Sequence, residues 1–144
     1  MQSIIYIEEK PSAPEYNNIR RSAGWGDFPD IQGIEKGLDN TLFNLCVRKD
    51  GELIGYGRVI GDGTITFYIQ DVIVIKKYQQ TGIGTEIMRR LMEYISSVAS
   101  EGAIIGLLSA KGKEDFYEKY GFISRPNEKY GKGMFMYWRN KDAF

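Results

Sequence analysis

One stretch of this chain restricts the fold more than any other. A nearly unbroken apolar run at 65–75 is followed by a polar, glycine-bearing loop, then by Ile83, Ile87, Leu91 and Ile95 at every fourth position, then by a second apolar run at 104–108. The four-residue spacing, with Met88 and Met92 beside it, predicts an amphipathic helix over 82–98. Two buried strands separated by a helix of that length cannot form a hairpin. The second run is consistent with a buried strand parallel to the first after a crossover helix.

The remaining segments fit around that unit. An isoleucine-rich strand is expected at 3–7, ended by a charged, proline-containing run. From 15 to 38 the pattern is weakly helical and is broken by Gly24, Gly26 and Pro29, which predicts two short helices separated by a loop at 23–30. Alternation at 41–48, turn residues at 49–52 and a second strand at 53–60 make a hairpin. Gly61-Asp62-Gly63 then turns the chain into the run at 65–75, completing an antiparallel meander. Past 104–108, a short helix over 113–120 ends at Gly121, and a last strand region starts at Phe122-Ile123 and returns at 134–138. The predicted class is α+β, or mixed α/β in layers. With 144 residues, 42% of them hydrophobic, one core and a single domain spanning 1–144 are expected.

Composition removes several functions. Nineteen basic residues balance nineteen acidic ones, and the pairs Arg20-Arg21, Lys76-Lys77 and Arg89-Arg90 are scattered, so no basic stripe faces a nucleic acid. No stretch reaches the roughly 18 apolar residues of a membrane span, and the first residues lack a secretory pattern. A cytoplasmic protein without a membrane partner is the expectation. Cys46 is the only cysteine and there is no histidine, which excludes Ser-His-Asp and Cys-His catalysis and histidine-based zinc sites. No metal is expected, and acid-base work falls to Tyr, Asp, Glu, Lys, substrate or water.

Between the apolar run and the helix stand Gln79, Gln80, Thr81, Gly82, Ile83 and Gly84. At a strand-to-helix junction the N–H groups of the first helical turn are free, and glycines let a phosphate come close to the backbone. The loop is therefore either a pyrophosphate cradle or an ordinary connection with two glycines. Because Thr85-Glu86-Ile87 follows Gly84, it is neither a P-loop nor a dinucleotide fingerprint.

Asp71-Val72-Ile73-Val74 followed by this loop resembles the acetyl-CoA signature of GNAT acetyltransferases, commonly Gln/Arg-x-x-Gly-x-Gly/Ala. Gln80 stands where glycine is frequent, Thr81 where a basic residue is, and Lys76 where proline is. A second match follows in order: Phe116-Tyr117-Glu118-Lys119-Tyr120-Gly121-Phe122 resembles the family's Phe-Tyr-x-x-x-Gly-Phe segment. The likeness covers about 41–138, and 133–138 resembles endings of bacterial members and of plant-type relatives that acetylate arylalkylamines.

The resemblance implies a GNAT fold in which the fourth and fifth strands splay apart around the pantetheine arm of acetyl-CoA, the cosubstrate. Val72 and Val74 would pair with that arm, and Gln79, Gln80, Thr81, Gly82, Ile83, Gly84 and Thr85 would wrap the pyrophosphate. An N–H near Val72 or Ile73 would face the thioester carbonyl, and Ser109 and Phe116 would flank the arm. Homodimers are frequent in the family, and the aromatic C-terminal strand offers an edge for one.

Tyr117 is the expected acid for the departing thiolate, against the plainer role of packing a helix on a sheet. Asp71, a carboxylate in an apolar strand, is either the base or a structural aspartate bonded to its neighbours. Tyr68, expected on the opposite face of that strand, would position a water. Trp25, Asp27, Phe28 and Asp30 suit either an acceptor bearing an apolar or second cationic part, or a mixed surface loop. Cys46, Met88 and Met92 read as core. The function expected is acetyl transfer to a primary amine of a small molecule by direct attack in a ternary complex. A peptide or protein acetyltransferase and a non-catalytic CoA-responsive module are the alternatives.

Overall fold

A computed structural model describes residues 3–139. The chain divides into two compact units, Met1–Leu107 and Leu108–Phe144.

The first unit is a five-stranded sheet carrying helices. In chain order it contains β1 (Ile4–Glu8), α1 (Ala13–Ser22), α2 (Ile31–Asp39), β2 (Phe43–Lys49), β3 (Glu52–Gly61), β4 (Thr66–Val74), α3 (Ile83–Val98) and β5 (Ile104–Leu107). The strands lie in the order β1-β2-β3-β4-β5. Only β4 and β5 are parallel, joined by α3, as the crossover argument requires. This is the mixed α/β layering expected from the sequence.

Local chemistry fixes the helix ends. Ser12 accepts from Glu15 N–H while the Glu15 carboxylate takes the Ser12 N–H, a reciprocal cap that starts α1. Asp30 caps α2 through Gly33 N–H at 2.9 Å. The loop between these helices is the one that Gly24, Gly26 and Pro29 predicted.

The helices cover opposite faces of the sheet. On one side, a methyl group placed on Gly57 would lie 2.9 Å from Ile87 and 3.2 Å from Leu91, so α3 presses directly on the β3 backbone. On the other, Ala13, Tyr16 and Ile19 of α1 and Ile34 and Leu38 of α2 pack with Cys46, Tyr56 and Ile73.

β4 carries an extra residue. Arg58 faces Gln70 but Tyr56 faces Ile73, so two β3 steps oppose three on β4, and Asp71 takes up the surplus with φ 58°. Ile60 faces Tyr68 and Arg58 faces Gln70, which places Tyr68 and Gln70 on the α1/α2 side. Asp71 meets Arg58 on that side too. Tyr68 therefore shares the face of Asp71, and the expectation that the two look opposite ways is corrected by the bulge.

The second unit holds α4 (Glu114–Glu118), shorter than the helix predicted at 113–120 because Tyr120 and Gly121 close as turns onto Tyr117 and Glu118. Among the described residues no strand follows β5, which corrects the closing strands expected at 122–123 and 134–138. Local hydrogen bonds close part of this unit: Asn127 takes the N–H groups of Lys129 and Tyr130, and Arg125 donates to the Gly131 carbonyl. Met134, Phe135, Met136, Tyr137 and Trp138 are exposed.

Candidate functional site

β5 pairs with β4 only over Thr66–Ile69, whereas β4 continues through Gln70 to Val74. Among the described residues no strand lies against that part of β4 on the β5 side. A stretch of strand without a strand partner can offer backbone donors and acceptors to an extended ligand, as a sheet edge does. The bulge falls within this stretch, so the peptide groups of Asp71, Val72 and Ile73 depart from the regular ladder where an added strand would run.

The open edge leads into the loop singled out in the sequence. After a 3-10 turn at Lys76–Tyr78, the Gln79 side chain donates to the Val74 carbonyl at 2.9 Å and ties the loop to the strand end. Gln80 has φ 62° and Gly82 φ 91°. Gly82 stands as the left-handed cap of α3, has no side chain to cap the helix, and has nothing within 4 Å of where a Cβ would be. The first turn-closing bond is Glu86 N–H to the Gly82 carbonyl, so the N–H groups of Ile83 and Gly84 precede the helical ladder. An open approach and a helix of 16 residues behind it meet the chemical needs of a diphosphate. Thr81 turns inward to the Tyr78 carbonyl at 2.5 Å.

On the α1/α2 side the bulge delivers Asp71 into a network. Its Oδ2 accepts from Tyr16 Oη at 2.7 Å and from Arg58 Nε at 2.8 Å; its Oδ1 accepts from Gln70 at 3.3 Å, with Arg20 Nη1 at 3.8 Å. No part of the Asp71 side chain is exposed. Burial pushes the Tyr16 phenol up, and the neighbouring Asp71 charge pushes it the same way. For Arg58, burial is the largest single influence and acts to lower, but the charge and hydrogen bond of Asp71, joined by Tyr16 and Tyr56, act to raise and the net direction is up, which keeps the guanidinium charged. The geometry suits a carboxylate that holds Tyr16 and Arg58 in position.

Trp25 lies against the same cluster, its ring 5.7 Å from the Arg20 guanidinium. Phe28 has an exposed ring, and its backbone is clamped by Asn17 through both N–H and carbonyl at 2.8 and 3.0 Å. Asp27 pairs with Arg21 at 2.6 Å. Cys46 is wholly buried, and burial pushes its thiol up to about 12, so it is core as expected.

In the second unit Tyr117 is half-buried, with the Phe116 and Phe122 rings 5.1 and 6.3 Å away edge-on. Burial pushes its phenol above 10.0, so it holds its proton at neutral pH. Ser109 donates to the Ala110 carbonyl at 2.7 Å.

The first unit thus brings together Tyr68, Asp71, Val72, Ile73, Val74 and the loop 79–85, with Trp25 beside Asp71 through Arg20. Sequence reasoning missed Tyr16, Arg20, Arg58 and Gln70. Tyr16 stands 55 positions from Asp71 and Arg58 stands 13, and no local pattern links residues so far apart.

Residues 17–137 match the profile of the acetyltransferase (GNAT) domain. A Prochlorococcus marinus protein named as an uncharacterized N-acetyltransferase is 31% identical over 78% of this chain and 63% of its own length. The chloroplastic GCN5-related N-acetyltransferase 1 of Arabidopsis thaliana is 31% identical over 88% of this chain and 64% of its own. The chain thus spans somewhat less than two thirds of each of these curated relatives. A crystal structure from Staphylococcus aureus, described as a probable acetyltransferase of unknown function, superposes with a TM-score of 0.86 at 34% identity, covering 94% of this chain and 100% of that one.

Proposed function

The chain belongs to the GNAT acetyltransferase family, and from that premise we propose that it transfers acetyl from acetyl-CoA to a primary amine of a small molecule by direct attack in a ternary complex. GNAT enzymes use acetyl-CoA, which supplies the acetyl group as a thioester. One observation carries the reading: β4 runs on past the end of its pairing with β5, is bulged at Asp71, and leads directly into the start of α3, which has no side-chain cap.

In this reading Val72 and Val74 present backbone groups to the pantetheine arm, with Ser109 and Phe116 beside it. Residues 79–85 receive the pyrophosphate on the N–H groups at the start of α3. An N–H near Val72 or Ile73 donates to the thioester oxygen as negative charge grows there. The amine nitrogen bonds to the carbonyl carbon, the C–S bond breaks, and Tyr117 Oη gives its proton to the departing sulfur. Water near Tyr68 takes the proton of the amine, and Asp71 holds Arg58 and Tyr16 in place. Trp25 and Phe28 wall the acceptor. Neither metal nor covalent intermediate is required, and a reducing compartment such as the cytoplasm suits the single buried thiol. Among the described residues no helix is long and apolar enough to cross a membrane.

The test is thiol release from acetyl-CoA across a panel of small amines and peptides. We expect turnover with small amines, and we expect Tyr117→Phe to lower kcat about ten- to a thousandfold while acetyl-CoA affinity changes little. Release only with peptides would move the acceptor class. No release with any amine, or an unchanged kcat in Tyr117→Phe when chemistry limits the rate, would sink the reading.

A further inference from the structure

We propose that the acceptor amine carries an oxyanion, a carboxylate or a phosphate ester, received by Arg20 and Arg58. The proposal rests on the reading of small-amine acetylation and narrows the substrate class at that site.

The argument starts from charge. Asp71 is the carboxylate set between the two guanidiniums, Arg58 at 2.8 Å and Arg20 at 3.8 Å. Two positive charges and one negative leave a surplus of one positive charge. The nearest acidic residues of the adjoining loop do not cancel it, because Asp27 is paired with Arg21 and Asp30 caps α2. Asp71 is sealed, whereas the Arg20 and Arg58 side chains remain 19% and 16% exposed, so the surplus is at the rim and within reach of a solute.

The donors are also accounted for. A guanidinium has five N–H bonds in a fixed fork. Arg58 uses Nε on Asp71 and Nη1 on Thr41 Oγ1 at 3.0 Å. Arg20 uses Nε on the Gly26 carbonyl at 3.1 Å and turns Nη1 toward Asp71. Among the described residues no hydrogen bond uses Nη2 of either arginine. Both forks lie near aromatic rings: Arg20 is 5.8 Å and Arg58 5.9 Å from the Tyr16 ring centre, and Trp25 is 5.7 Å from Arg20. Two preset guanidiniums with spare donors match an oxyanion in geometry as well as in charge.

Position completes the case. Arg58 shares its sheet face with Tyr68, Gln70 and Asp71, beside the bulge where the thioester oxygen is assigned. An amine anchored by its anionic end at Arg20 and Arg58 lies along this face with the rings of Trp25 and Tyr68 at hand. A second cationic group, which the loop sequence alone suits, would meet a positive field here.

Matched acceptor pairs test the proposal: phenylalanine against phenethylamine, and phosphoethanolamine against ethanolamine. Affinity is measured by calorimetry with CoA present, and turnover by thiol release. We expect the anionic member of at least one pair to bind about tenfold tighter or more, the preference to vanish in Arg20→Gln, and Arg20→Lys to keep part of it. Which pair responds tells carboxylate from phosphate. Equal or tighter binding of the uncharged-tail amines, absence of binding by either anion, or a preference that survives in folded Arg20→Gln would overturn the proposal. Arginine-dependent binding without thiol release would instead remove the transfer reading and leave the anion site standing.

Discussion

The two faces of the sheet in the first unit are built from opposite materials. The α3 face is closed by apolar interdigitation: Ile83, Ile87, Met88, Leu91 and Ile95 are all buried, and Gly55 and Gly57 let the helix ride against the strand backbone. The α1/α2 face holds an apolar cluster too, but threaded with charge and phenol: Asp71 with Tyr16 and Arg58, Tyr56 donating to Asn44, and Arg48 between Glu9 and Glu15. No buried side-chain polar atom in the described residues is left without a partner. Packing without polar atoms tolerates little change of volume, whereas a satisfied polar network tolerates little change of charge. The first face is therefore sensitive to changes of volume, and the second to changes of charge.

Substitutions can break or sharpen that contrast. The largest effect is expected for Asp71→Ala, which leaves Arg58 and Arg20 facing each other without their counter-ion and should cost about 3–5 kcal/mol of unfolding free energy. An unfolding free energy from denaturant titration lowered by under about 1 kcal/mol would erase the distinction. On the opposite face Leu91→Ala should cost about 2–5 kcal/mol through the cavity left under α3. Its acceptor affinity should remain that of the parent, and a changed acceptor KM would show that the faces are not separate.

Gly57→Ala is expected to cost about 1–3 kcal/mol, since the added methyl must push Ile87 aside and backbone cannot yield far. Thermal melting against Gly37→Ala, whose site has nothing within 4 Å, provides the control. The smallest effect concerns acid. Its hydrogen bonds with Arg48 hold Glu15 down at about 2, below its ordinary 4.5. Because the folded value is the lower one, the pair stabilises fully above about 4.5 and loses its effect as pH falls toward 2. Glu15→Gln should flatten that part of the stability-pH curve, removing about 1 kcal/mol for a partly exposed pair.

The α3 face was legible in the sequence because it is periodic. Ile83, Ile87, Leu91 and Ile95 repeat every helical turn, and the parallel pairing of β4 with β5 follows from the helix between them. The loop at 23–30 was legible through Gly24, Gly26 and Pro29, which act locally. The α1/α2 face was hidden for the opposite reason. Arg20 and Arg58 look like scattered surface charges until folding carries them to Asp71. The bulge also left no trace, since Phe67, Ile69, Asp71 and Ile73 are buried in strict alternation as in a regular strand. The last strand failed because a continuous apolar, aromatic run such as 134–138 records strand propensity, which by itself does not set a ladder.

The surplus residue in β4 has a consequence for lengths. Up to Gln70 the even positions look toward α1 and α2; from Asp71 onward the odd positions do. The strand changes phase halfway along. Removing one residue between Gln70 and Ile73 would not shorten the sheet so much as put its two halves back in step. The side chains on both sides of the cut would keep their faces, and only the carboxylate among the arginines would leave their company. Counting residues between Arg58 and the loop at Gln79 thus tests kinship at this site more sharply than matching their identities. A relative with the same letters and one residue fewer would have a regular edge in place of the bulge.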